Sequence, residues 1–134
     1  MVLQSLQGLP AFFAYFCLAL VVVVVYLAIY TRLTPYDEFE LIGKNVPGPA
    51  VALGLSLLGF ALPVASAIAH AADIVDCAIW SIVALLVQLA VFFIARIPVP
   101  DLPRRVAGGE LAAAVWLGLV SVTAGVLSAA SMTL

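Results

Sequence analysis

Three ionisable side chains, His70, Asp73 and Asp76, fall within seven residues between two long apolar segments. A carboxylate beside a histidine raises the imidazole pKa and can make the pair a switch near neutral pH. This spacing is compatible with a proton relay or a metal site. The same acids can instead cap a following helix at its positive N-terminal end. The second interpretation needs no ligand, and we favour it.

Two more polar residues occur within or at the start of an apolar segment. Gln88 is an amide inside one, where a buried polar group in a membrane needs a partner. We expect it to bond a neighbouring helix, and the alternative is that it lines a path for an ion or a proton. Glu110 stands at the start of the last apolar segment. Its favourable interaction with the dipole of the following helix is sufficient to explain this position. The alternative is that Glu110 marks an entry point for an ion or a proton.

The sequence contains no recognisable catalytic motif. HExxH, GxSxG and phosphate-loop patterns are absent, and the two cysteines, Cys17 and Cys77, have no CxxC spacing. The formal net charge of −2 gives no reason to expect nucleic acid. We therefore predict a protein that is not an enzyme, with no catalytic residue, cofactor or metal.

The composition requires lipid as the solvent for most of the chain. Its 134 residues are 66% hydrophobic and 9% charged, whereas a soluble domain is about 25% charged. Four apolar segments are each long enough to cross roughly 30 Å of hydrocarbon as a helix. They are Leu9–Tyr30, Ala50–His70, Ile74–Ala95 and Leu111–Met132. We predict an all-α membrane protein with four transmembrane helices.

All the basic residues fall in the segments that follow the first and third apolar stretches. Those two loops span residues 31–49 and 96–109. Because basic residues mark the cytoplasmic side, both loops are predicted to be cytoplasmic and both termini to lie outside. The basic residues are Arg32, Lys44, Arg96, Arg104 and Arg105.

A weak internal repeat appears when the chain is shifted by 64 residues. Arg32 then falls on Arg96, Asp37 on Asp101, and "AVALGL" on "AVWLGL". Each half is predicted to be one helix hairpin, residues 1–70 and residues 71–134. Two such hairpins have the same orientation and make parallel repeats.

Small residues are concentrated in the second and fourth segments, where they let helix backbones approach closely. These segments are therefore predicted to form the inner contacts. The bulky first segment is predicted to face lipid or a neighbouring copy in a homo-oligomer. The candidate packing residues are Gly54, Gly59, Pro63, Gly118 and Gly125.

The loop 31–49 is the most polar stretch of the chain. Thr34 is predicted to cap a short helix there, and Glu40 and Lys44 are spaced to pair across one turn. Together with the basic loop, it makes a mixed-charge face for docking a cytoplasmic protein. The candidate docking residues are Asp37, Glu38, Glu40, Arg104 and Arg105.

Four motifs in order resemble the YjfL-like family of bacterial inner-membrane proteins, which is built on a duplicated two-helix domain of unknown function. They are "TPYDEFELI" (34–42), "GFALPVASA" (59–67), "ALLVQLAVF" (84–92) after Trp80, and "GVLSAASMT" (125–133). Family members often carry Asn and Cys near the end, where this chain has Ser128 and Ser131. The resemblance implies an inner-membrane location. Gene neighbourhoods in the family imply an envelope-maintenance or stress system.

Two functions are compatible with these features. The first is a non-enzymatic membrane protein that assembles with itself and presents its loops to a partner. The second is a small oligomeric channel or transporter lined by the second and fourth transmembrane helices. The spans carry few polar residues and no central charge, so the first hypothesis is favoured.

Overall fold

The computed structural model describes residues 2–34 and 37–132, and all the regular secondary structure within them is α-helical. Four of the described helices, α2 (Leu9–Leu33), α4 (Pro47–His70), α5 (Ile74–Ile94) and α7 (Leu111–Ser131), are long and apolar enough to cross a membrane. The predicted all-α class with four spans is thus confirmed. The helices are α1 (Val2–Gln7), α2 (Leu9–Leu33), α3 (Glu38–Gly43), α4 (Pro47–His70), α5 (Ile74–Ile94), α6 (Leu102–Ala107) and α7 (Leu111–Ser131).

The closest helix packing is between α4 and α7. A Cβ added to Gly125 would collide with the backbone carbonyl of Gly59, and one added to Gly59 would lie 2.5 Å from the Ser121 carbonyl oxygen. A Cβ on Gly118 would lie 2.5 Å from the Cβ of Leu55. The two backbones approach this closely because glycine has no side chain at the crossing.

Gly54 differs from the prediction made for it. A Cβ built on this glycine meets no described atom within 4 Å outside the neighbouring backbone of its own helix, and the residue is exposed. Five residues separate it from Gly59, which at about 100° per residue puts it far around the helix from the packed face. Pro63 lies on that packed face and is fully buried.

The helices α2 and α5 complete the bundle around this pair. On α5, the buried residues recur every three or four positions, so that one face of the helix points inward. They are Cys77, Ser81, Ala84, Gln88 and Phe92. On α2, aromatic rings make the contact: Tyr26 stacks on Phe60 with centroids 4.6 Å apart, and Tyr30 meets Phe92 edge-on at 5.3 Å.

The short helices α3 and α6 occupy the loops and begin 64 residues apart, at residues 38 and 102. Each is followed by a residue with positive φ, Asn45 at 64° and Gly109 at 85°, before the next long helix begins. The start of α3 differs from the prediction. Asp37, not Thr34, is its N-cap, and the Asp37 carboxylate accepts a bond from the Glu40 backbone N–H at 3.2 Å. Thr34 instead ends α2.

Candidate functional site

Gln88 lies at the centre of a polar cluster where α4, α5 and α7 meet. Its side chain is 1% exposed. The Nε2 group donates to the carbonyl oxygens of Gly59 at 3.1 Å and Ser121 at 3.2 Å. The Ser121 hydroxyl in turn donates to Gln88 Oε1 at 2.6 Å. One amide side chain therefore bonds both α4 and α7, as the helix-bonding interpretation of Gln88 requires.

Pro63 explains why the carbonyl oxygen of Gly59 is free to accept a hydrogen bond from Gln88. In an α-helix this oxygen would accept the backbone N–H of the residue four positions later, and Pro63 has no N–H. A carbonyl without a donor is costly inside a membrane. The Gln88 amide supplies the donor from another helix. The proline creates the acceptor, and the glutamine satisfies it.

Tyr26 extends the cluster to α2, so that all four long helices contribute to it. Its ring is buried against Phe60, and its hydroxyl interacts with the side chains of Ser56 and Ser121. Both serines are buried as well. Gln88, Gly59 and Ser121 bond one another across helix boundaries, with Tyr26 and Ser56 buried beside them, so the cluster holds the bundle together. We call Tyr26, Ser56, Gly59, Gln88 and Ser121 the polar core.

The turn between α4 and α5 uses its acids as helix caps. Asp73 accepts the Asp76 backbone N–H at 2.8 Å and is the N-cap of α5, while Asp76 Oδ2 accepts the N–H of Ala72 at 3.0 Å. His70 turns back onto α4, with Nδ1 2.9 Å from the carbonyl oxygen of Ser66. Among the described residues, no group of three His, Cys, Asp or Glu side chains could hold a metal ion.

The carboxylates predicted to form a docking face have three different environments. Asp37 is exposed and occupied as a cap, whereas Glu40 is exposed and pairs with Lys44 at 3.0 Å, as predicted. Glu38 is 1% exposed, and the Thr34 hydroxyl donates to its carboxylate. The prediction that Glu38 faces a partner is therefore wrong. With Asp37 as the cap, Glu38 falls on the inner side of the first turn.

The basic loop is similarly divided. Arg105 pairs with Glu110 at the start of α7, with Nε 3.1 Å from Oε2. Arg96 lies over the ring of Phe92 at 4.6 Å. Arg104 is exposed. Of the five candidate docking residues, three are exposed: Asp37, Glu40 and Arg104. Glu38 is buried, and Arg105 is half-buried beside Glu110.

The environment of Glu38 gives a testable pH dependence. Burial raises the pKa of its carboxyl above the ordinary 4.5, the Thr34 hydroxyl and a backbone N–H lower it in part, and the charge of Asp37 raises it. Between pH 4.5 and the raised pKa of Glu38, the folded chain binds more protons than the unfolded chain. The free energy of unfolding therefore falls as pH rises through that window. Below the window Glu38 is neutral in both states.

We expect the Glu38→Gln variant to lose this pH dependence while keeping the bond from Thr34. Its free energy of unfolding should exceed that of the wild type by a margin that grows as pH rises from below 4.5 to neutral, by about 1.4 kcal/mol for each unit of pKa rise. Thermal unfolding in nanodiscs across this range measures the margin. A margin independent of pH would contradict the assignment.

Three members of the polar core, Tyr26, Ser56 and Ser121, were not predicted from the sequence. Tyrosine and serine in an apolar segment have no pattern that separates a core position from a lipid-facing one. For Gln88, in contrast, the sequence contained a signal. Pro63 leaves the carbonyl of residue 59 without a helical donor, and Gln88 was the amide available within the spans to supply one.

Within the described residues, the fold and the polar core define a helical membrane protein with four spans, bonded to one another through side chains and backbone carbonyls. The profile of the family described as "Domain of Unknown Function (DUF350)" matches residues 4–132. The chain belongs to this family.

The chain is also similar to two curated relatives. It is 35% identical to "UPF0719 inner membrane protein YjfL" of Escherichia coli (strain K12) over 131 residues, which cover 98% of this chain and 99% of the relative. The protein of the same name from Escherichia coli O157:H7 matches with the same identity and coverage. The resemblance to the YjfL-like family is thus confirmed. No solved structure gives a significant match.

Proposed function

We propose that this chain is a non-enzymatic protein of the bacterial inner membrane that assembles with itself and presents its loops to a cytoplasmic protein. The partner would belong to an envelope-maintenance or stress system, as the family resemblance implies. The name of the E. coli relative supports the inner-membrane location. The position of every basic residue in the two loops supports an arrangement with both termini outside.

The duplicated-hairpin arrangement is part of this proposal. The short helices begin 64 residues apart, and so do the long helices that follow them, at residues 47 and 111. The positive-φ residues Asn45 and Gly109 have the same separation. These matched positions support two parallel repeats that each place one short helix at the same surface, so that the acidic and basic loops lie on one side of the membrane.

A single observation carries the functional proposal. The buried side chains of Gln88 and Ser121 bond each other and the backbone in the polar core, whereas the loops keep charged and aromatic groups exposed. Phe39 on α3 is 61% exposed beside Asp37 and Glu40. A capped helix with an exposed aromatic ring between charged residues suits recognition of a protein, because aromatic anchors within a polar surround dominate such interfaces. We call Asp37, Phe39, Glu40 and Arg104 the loop face.

Site-specific photocrosslinking in the native membrane tests the loop face. A photoreactive phenylalanine at Phe39 should form a covalent adduct with a protein, and the same group at Leu86 of α5 should not. The two positions are a matched pair, because each is 61% exposed. The adduct should weaken several-fold in the charge swap Glu40→Lys with Lys44→Glu, which keeps the intrahelical pair, and in Arg104→Glu.

Three outcomes would overturn the proposal. The first is no adduct at Phe39, and the second is an adduct that the charge changes leave intact. The third is selective ion flux in liposomes containing the purified protein that is lost when Gln88 is replaced, which would favour the channel hypothesis. Membrane insertion of each variant, measured by fractionation, is the control for folding.

A further inference from the structure

The outer half of α2, with α1 before it, makes few contacts with the rest of the described chain. The buried residues of α2 are Val22, Tyr26 and Tyr30, which all lie in its C-terminal half. Earlier in the helix, the rings of Phe12 and Phe16 stack on each other at 5.7 Å and remain exposed. The first turns of this membrane-spanning helix, up to Cys17, are thus largely exposed, and α2 packs against its own bundle from Leu18 onward.

One face of this segment has the spacing of a packing seam. Its members within α2 are separated by four, three and four positions, as in two helices that pack along their length, and one further member lies seven positions earlier, in α1. Val22 and Tyr26 lie on the opposite side of the helix and contact the bundle. All members of the seam are exposed, and we refer to them as the α2 seam: Leu6, Phe13, Cys17, Leu20 and Val24.

The exposed area of the chain exceeds that of a compact soluble monomer of the same mass. The accessible surface is 7676 Å² for 14.0 kDa, whereas a compact monomer of this mass exposes about 6,700 Å². The difference of about 1,000 Å² is close to the roughly 800 Å² that each partner buries in a standard interface. The splayed half of α2 contributes to this excess, since its large apolar side chains are exposed there.

The occupant that fits this surface is a second copy of the chain. Residues 1–31 contain no charged side chain, so two identical seams meet without like-charge repulsion. A two-fold axis along the membrane normal keeps both copies in the same orientation and makes the contact self-complementary. In such a pair each seam residue lies near its own counterpart.

We propose that two copies of this chain pair through the α2 seam about a two-fold axis normal to the membrane, with Cys17 facing Cys17 of the second copy. This inference rests on the proposed self-assembly and specifies its interface. The contact runs from α1 to Val24 near the middle of α2, away from the loop face, so that the dimer leaves both loop faces free for a partner.

Oxidative crosslinking in native membranes tests the seam with the cysteine that the protein already has. In a Cys77→Ala background, which removes the buried thiol, Cys17 should give a covalent dimer on mild oxidation. In a background that also carries Cys17→Ser, Leu20→Cys should give the dimer as well. Ala19→Cys in that background should give at least ten-fold less, because residue 19 is half-buried against the bundle.

The outcomes separate the seam from self-assembly itself. Particle mass in nanodiscs or mild detergent reports assembly, and crosslinking reports the interface. A dimer or larger particle without a Cys17 adduct would overturn the α2 seam and leave self-assembly intact. A monomeric particle would overturn both, since lipid would then cover the seam. Equal crosslinking at residues 17 and 19 would indicate random collision and would also overturn the proposal.

Discussion

Replacing Gly125 with alanine should destabilise the folded bundle by about 2–3 kcal/mol, a typical cost of overpacking a close-packed contact. The added Cβ would occupy the position of the Gly59 carbonyl group on the facing helix. That carbonyl is part of the backbone and cannot rotate away as a side chain would. It also accepts the bond from Gln88, so any shift of α4 that relieves the collision strains the polar core.

The chain offers a matched control for this substitution. Gly54→Ala adds the same methyl group to a long helix at a position where no described atom outside the neighbouring backbone of that helix lies within 4 Å. We expect it to be neutral or to stabilise the helix by up to about 1 kcal/mol, since alanine is the better helix former. Reversible unfolding in mixed detergent micelles measures both variants. Similar costs at positions 54 and 125 would contradict the packing of α4 on α7.

The two glycines also show which part of the architecture the sequence predicts. Hydropathy and length identify four spans, and α5 and α7 begin at the predicted residues, Ile74 and Leu111. The small residues of the second and fourth segments indicate which helices approach closely. Composition does not give the rotation of a helix about its axis. For this reason Gly54 and Gly59 look equivalent in the sequence, although one is exposed and the other packed.

The start of α3 is a second feature that the sequence does not determine. Both Thr34 and Asp37 are good N-cap residues, and the choice between them shifts the start of α3 and decides which carboxylates face outward. The side chain of Asp37 takes the cap, and Glu38 becomes buried. A shift of three residues thus removes one predicted docking residue. Glu40 and Lys44 kept their predicted pairing because both lie beyond the ambiguous first turn.

Replacing Gln88 with leucine should be the other strongly destabilising change. The variant keeps a similar volume but leaves the Gly59 carbonyl without its donor and Ser121 without its acceptor. An unsatisfied buried polar group costs about 1–3 kcal/mol. The Ser121 hydroxyl can turn to another acceptor. The Gly59 carbonyl cannot turn, because Pro63 has removed the N–H that a helix would supply.

The central claim is that Gln88 supplies the hydrogen bond that Pro63 removes from the backbone of α4, so that the polar core holds α4, α5 and α7 together. A double-mutant cycle with Pro63→Ala and Gln88→Leu measures this coupling directly. Pro63→Ala restores an N–H for the Gly59 carbonyl, so the loss of Gln88 should then cost less. We predict a coupling free energy of about 1 kcal/mol or more. An identical cost of Gln88→Leu in the two backgrounds would contradict the account.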